Sequence, residues 1–201
     1  MRVRTHTNPF NFYETMTPID FASIFSNYKN ELDLEIGFGR GVFIRKWASY
    51  NPNRYILGVE VRKGIVEDVT AKIRQDKIIN THLIYGSGER VIEDIIQPDT
   101  LKNIFIFHPD PWFKKSHHKR RLVNKIFLDR LCPKLKQNAR IYIATDVPEL
   151  YDVMNEVFDS HSNFKQTEDK QFWETVYETH WHNFSKRDNR LFRYGVFEYN
   201  R

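Results

Sequence analysis

Cysteine is almost missing from this chain, with Cys132 its single example. No disulfide framework can form within the chain, and a cysteine-based zinc site is argued against, so a reduced, cytoplasmic setting is expected. Long apolar runs are also missing, and no segment is expected to span a bilayer. The stretch from Met1 to Phe12 has arginines but no apolar run, so no secretory signal is expected. Internal repeats and low-complexity tracts are absent. Acidic residues are absent between Trp112 and Arg121, where Lys114, Lys115, Lys119, Arg120 and Arg121 stand together. His108, His117 and His118 lie nearby, but adjacent histidines point apart and no carboxylate sits at ligand spacing. No metal is expected.

What is present suffices for one domain. The 201 residues are 40% apolar, enough for an α/β unit with a real core. An arm with a short helix from Pro18 is expected over 1–30, and the α/β core over 31–201. The net charge of +5 is modest, so its concentration in the 112–121 ribbon matters more than its size. A phosphate-rich partner fits such a ribbon, although a solvated loop and helix start would carry the same charges.

Apolar periodicity predicts alternating strands and helices. Strands are expected at 32–36, 55–59, 81–85, 102–107, 140–144, 164–167 and 191–199. Helices are expected at 42–50, 63–75, 89–96, 121–135 and 148–158. The alternation implies a largely parallel sheet with helices on both faces. Ligands of such sheets bind beyond the carboxyl ends of the strands. Glu35, Glu60, Ser87, Asp110 and Asp146 all fall at or just past expected strand ends, so one edge is expected to carry all five.

Glu35-Ile-Gly-Phe-Gly-Arg-Gly41 follows the first strand. Gly37 and Gly39 let the backbone turn tightly and approach a ligand. Val42 stands where the third glycine of the dinucleotide fingerprint would be, which disfavours a nicotinamide cofactor. Glu60 ends the second strand, where a carboxylate can accept both hydroxyls of an adenosine ribose. Further on, His108-Pro-Asp-Pro-Trp112 brackets one carboxylate with two prolines. Proline fixes φ and removes a donor, so Asp110 is held on a stiff turn at a strand end. Trp112 can stack on a base or simply pack the loop.

These residues resemble the bacterial tRNA (guanine-N7-)-methyltransferases, the TrmB family of class I methyltransferases. The resemblance rests on Glu35–Gly41, Gly58-Val-Glu60, Pro109–Lys115 with His117–Arg121, and Ala144-Thr-Asp146. It implies a mostly parallel, seven-stranded Rossmann-like sheet over 31–201, S-adenosylmethionine as methyl donor and a guanosine of the tRNA variable loop as acceptor. Carried over, it implies Glu35, Gly37, Gly39, Glu60 and Ser87 at the cofactor, and Asp110 as catalytic and cofactor-proximal. Lys114 and Asp146 are implied at the tRNA, with Trp112, Lys115, Lys119, Arg120 and Arg121 expected to assist. Family members occur as monomers and as homodimers.

The chain departs from the family pattern at three places. Ser87 stands where an Asp or Asn is usual. His182-Asn-Phe-Ser185 replaces a T-x-F-E element used on the substrate. His108 replaces a usual Phe and can pair with Asp110 or fill a packing site. Such changes fit a divergent enzyme or an RNA-binding paralogue that methylates weakly or not at all.

Overall fold

The computed structural model describes residues 11–12, 14–188 and 190–201. Most of the arm expected before residue 11 lies outside them. Helix α1 (Phe21–Ile24) starts later than Pro18, because Asp20 caps it by accepting from the Ala22 N–H.

Seven strands form one sheet in the order β3-β2-β1-β4-β5-β7-β6. They are β1 (Leu32–Ile36), β2 (Ile56–Glu60), β3 (Thr81–Tyr85), β4 (Leu101–Phe107), β5 (Leu135–Thr145), β6 (Phe164–Thr167) and β7 (Arg193–Tyr199). The first five pair in parallel, while β7 runs antiparallel to both β5 and β6. Helices α2 (Val42–Tyr50), α3 (Lys63–Gln75), α4 (Gly88–Arg90), α5 (Lys125–Leu131), α6 (Pro148–Asp159) and α7 (His180–Arg187) complete the fold.

Each sheet face buries its own core. Leu34, Ile104, Phe127, Leu131 and Phe158 belong to one, and Phe43, Trp47, Phe105, Tyr142 and Phe172 to the other. Strand β1 is buried along its whole length, including Asp33. That carboxylate accepts from Arg54 at 2.6 and 2.8 Å, from Trp47 Nε1 at 2.9 Å and from the Asn103 side chain at 2.8 Å. A buried charge persists only when paired and hydrogen-bonded in this way.

The helix expected over 121–135 does not form as such. Asn124 caps α5 by accepting from the Phe127 N–H, Cys132–Lys134 is a 3₁₀ turn carrying Pro133, and Leu135 already pairs with Leu101 in the sheet. Local 3.6-residue spacing lost here to strand pairing. Ile126, one of the apolar positions of that segment, is 62% exposed. The segment Lys115–Arg120 is a 3₁₀ helix. The π turn Phe172–Val176 packs Phe172, Trp173 and Val176 on the second core, and α7 reaches that region through His182, which lies against Tyr177 and Phe192.

Candidate active site

In this strand order the chain reverses direction between β1 and β4, which opens a crevice at their carboxyl ends. A cleft of about 490 Å³ lies there. Glu35, Gly37, Gly39, Glu60, Ser87, Asp110, Trp112 and Arg120 all line it. Asp146 does not, so the single edge expected for five residues brings together four of them.

The glycine loop explains its own composition. Gly37, Gly39 and Gly41 all have positive φ, at 79°, 50° and 69°, a region side chains rarely adopt. A Cβ on Gly37 would meet nothing within 4 Å, whereas one on Gly41 would lie 2.3 Å from Val69 of α3. Close helix packing, the task of the third glycine in the dinucleotide fingerprint, thus falls to Gly41.

Glu35 and Glu60 sit on neighbouring strands in different states. Glu60 is buried, and Arg62 forks onto it through Nε and Nη2, each at 2.9 Å, while the Gly39 N–H donates at 3.1 Å. Glu35 is equally buried, yet its Oε2 meets no donor among the described residues. Burial pushes its carboxyl well above the usual carboxylate range, and the charge of Glu60 adds to this; an N–H from Ile44 opposes both. Ser87 lines the same wall, and its Oγ caps α4 by accepting from the Arg90 N–H at 3.3 Å.

Asp110 follows β4 and is half-buried, close enough to Arg62 for their charges to interact. Trp112, at φ 44°, turns inward and is 8% exposed. The Arg120 guanidinium lies 5.0 Å from its ring centroid, and His117 meets the ring edge-on. Trp112 thus packs against the loop while lining the cleft, and the outward aromatic is Phe113, at 69% exposure. Nε of Arg120 is buried without an acceptor among the described residues. Arg121 points inward and donates from Nε to the Pro111 carbonyl at 2.9 Å, clamping the turn. Lys114, Lys115 and Lys119 are exposed.

His108 makes two polar contacts across the end of β4, with Asp146 and with Tyr177. Its Nδ1 lies 3.3 Å from Asp146 Oδ1 and its Nε2 lies 3.0 Å from the Tyr177 hydroxyl. Asp146 is buried and also accepts from Ser185 Oγ at 3.0 Å and Arg190 Nη1 at 3.2 Å. Ser185 thus stands on Asp146 rather than in the cleft. Sequence reasoning missed Arg62 and Thr179–Trp181, which line the cleft. The signal for Arg62 was its place two residues past the strand-end acid; the other three had none. Among the described residues no cluster of His, Cys, Asp and Glu could hold a metal ion, and no helix is long and apolar enough to cross a membrane.

Comparison with known proteins agrees with this geometry. Residues 29–200 match a family model described as "Putative methyltransferase". A tRNA (guanine-N(7)-)-methyltransferase of Prochlorococcus marinus is 34% identical over 176 residues, covering 85% of this chain and 84% of its own length. That of Buchnera aphidicola is 39% identical over 134 residues, 67% of this chain and 56% of its own. Among solved structures, the 16S rRNA methyltransferase KamB superposes with a TM-score of 0.61 at 16% identity, covering 94% of this chain and 98% of its own, and so shares the fold. The chain belongs to the tRNA (guanine-N7-)-methyltransferase family, with the Rossmann-like sheet of class I methyltransferases.

Proposed function

We propose that this protein transfers the methyl group of S-adenosylmethionine to N7 of a guanosine in tRNA, the variable-loop guanosine that the family modifies. It acts in the cytoplasm, with residues 31–201 as one catalytic unit. The observation that carries the reading is the convergence of Glu35, Glu60 and Asp110 on one cleft at adjacent strand ends, in a chain of this family.

The residues fit the cofactor. The orphaned Oε2 of Glu35 calls for a buried cation, and the ammonium of the methionyl moiety supplies one. Glu60 offers carboxylate oxygens to ribose hydroxyls. The open space beside Gly37 admits a ligand against the backbone, and Ser87 adds a hydroxyl on the same wall. When bound, the cofactor contributes an electrophilic methyl group on a sulfonium centre.

Guanine N7 carries a lone pair and no proton, so the chain need not supply a strong base. Orientation and charge remain to be supplied. Asp110 accepts hydrogen bonds from the N1–H and N2–H₂ edge, holding the base, and its negative charge favours the cationic product ring. Pro109 and Pro111 keep that carboxylate from swinging. The exposed Lys114, Lys115 and Lys119 neutralise phosphates, and Arg120 offers its unanswered Nε–H at the cleft. Asp146 supports the substrate side from behind His108.

The test is incubation with radiolabelled S-adenosylmethionine and unmodified tRNA, followed by nucleoside analysis. Label in 7-methylguanosine is the expected result. Binding of tRNA without incorporation would overturn the reading in favour of an RNA-binding paralogue.

A further inference from the structure

A line of polar and ring contacts runs from the start of helix α7 to the ends of β4 and β5. The His182 N–H donates to Oγ1 of Thr179, which caps α7. Tyr177 stands two residues before that cap, and its ring meets His182 edge-on at 4.9 Å. Tyr177 is buried, and burial raises its pKa, so it stays a neutral donor at 3.0 Å from His108 Nε2. The Asp146 carboxylate can only accept, so Nδ1 carries the proton and donates to it at 3.3 Å, and in the neutral ring Nε2 is left to accept from Tyr177. Ser185, from the last turns of α7, donates to the same carboxylate. A line that ends on a buried anion orients each dipole before it.

His108 is held firmly at the centre of this line. Its φ of 49° is costly for a residue with a side chain, and its N–H donates to the Ala144 carbonyl at 2.7 Å. The ring stacks on Phe192 at 5.9 Å. Packing alone would be met by a phenylalanine, which has no use for Asp146 or Tyr177. The two nitrogens therefore do something that filling space does not require.

What they join is the lining of the cleft. Pro109 and Asp110 directly follow His108, and Thr179, His180 and Trp181 form another part of the same lining. We propose that His108 is a positioning residue, which through Tyr177 fixes the Asp110 turn relative to the Thr179–Trp181 segment and so holds the acceptor base in register. This rests on the functional reading above. Asp110 touches the base, and His108, itself in the cleft lining, acts on it through the turn and through Tyr177.

A double-mutant cycle with His108→Phe and Tyr177→Phe tests the proposal. Each single variant is expected to lower kcat about tenfold, with affinity for S-adenosylmethionine unchanged. The double variant is expected to be no slower than His108→Phe, because both break one link. Unchanged kcat in the folded single variants, or losses that multiply, would overturn the proposal. Tyr177→Phe removes one oxygen and keeps the fold testable. Amide hydrogen exchange across 179–183, free of any assay, gives a second readout: both variants should exchange faster there, and unaltered protection would sink the link. Wild-type protein that makes no 7-methylguanosine would count against the functional reading, while the exchange result would still decide whether the link exists.

Discussion

Glu35 and Glu60 end adjacent strands and share one wall of the cleft, yet only Glu60 has its charge answered by the protein. Arg62 covers the one, and Oε2 of the other meets no donor among the described residues. A pocket that leaves one buried carboxylate unmatched has set it aside for a cation from outside. The cofactor, in this view, relieves a cost that the free protein carries.

Replacement of Glu35 by Gln should therefore raise the melting temperature of the free protein at neutral pH and weaken S-adenosylmethionine binding at least about tenfold. The sign follows from linkage. Glu35 titrates higher when folded than when unfolded, so stability is lost as pH rises from the unfolded value through the folded one. Thermal unfolding with and without the cofactor, measured across that range, checks both halves. A lower melting temperature for the free Gln variant would show that Glu35 is answered after all.

Asp110→Asn keeps the size of the side chain and removes its charge. It should cut kcat by about a hundredfold or more, in line with loss of one preorganised electrostatic group. Affinity for tRNA should change little, since the phosphate contacts lie elsewhere. Single-turnover kinetics would show the loss in the chemical step. An unaltered rate would remove Asp110 from the site.

The exposed lysines and Phe113 make separable contributions. Changing Lys114, Lys115 and Lys119 to Ala should weaken tRNA binding and flatten its salt dependence, by about one in the log–log slope for each phosphate lost. Phe113→Ala should weaken binding with the slope unchanged, because stacking releases no counterions. Equilibrium binding at several salt concentrations separates the two, and a slope indifferent to the lysines would move the RNA path.

His182 gives the protein an acid limit. Burial, with help from Lys186 and His108, pushes its pKa down to about 4, from an ordinary 6.5. The folded state thus refuses a proton that the unfolded chain takes. Stability should be intact above about pH 6.5 and should fall as pH drops from there toward 4. His182→Phe, beside Tyr177 and Phe192, should flatten this fall. Melting temperatures of the two proteins that run parallel between pH 7 and 4 would contradict the assignment.

The amino-acid sequence by itself determined the sheet, the glycine turn and the acids at strand ends. Those features are written in local chemistry: apolar runs of strand length, glycines where φ must be positive, and prolines that keep β4 from continuing into Asp110. It also carried the family, through the block from Pro109 to Arg121. What it left open depends on which residues meet across long separations. Residues 121–135 have helical spacing, but the pairing of Leu135 with Leu101 ends the helix early. Asp146 reads as one more strand-end acid, and only the placement of α7 engages it with Ser185, Arg190 and His108. Trp112 and Phe113 are neighbours of similar character, and a positive φ decides which faces inward. Arg62 and Thr179 are polar residues without a pattern, brought to the cleft because the sheet reverses direction between β1 and β4. Short-range sterics and periodicity are properties of a segment; burial, charge pairing and the walls of a cleft are properties of the packed whole.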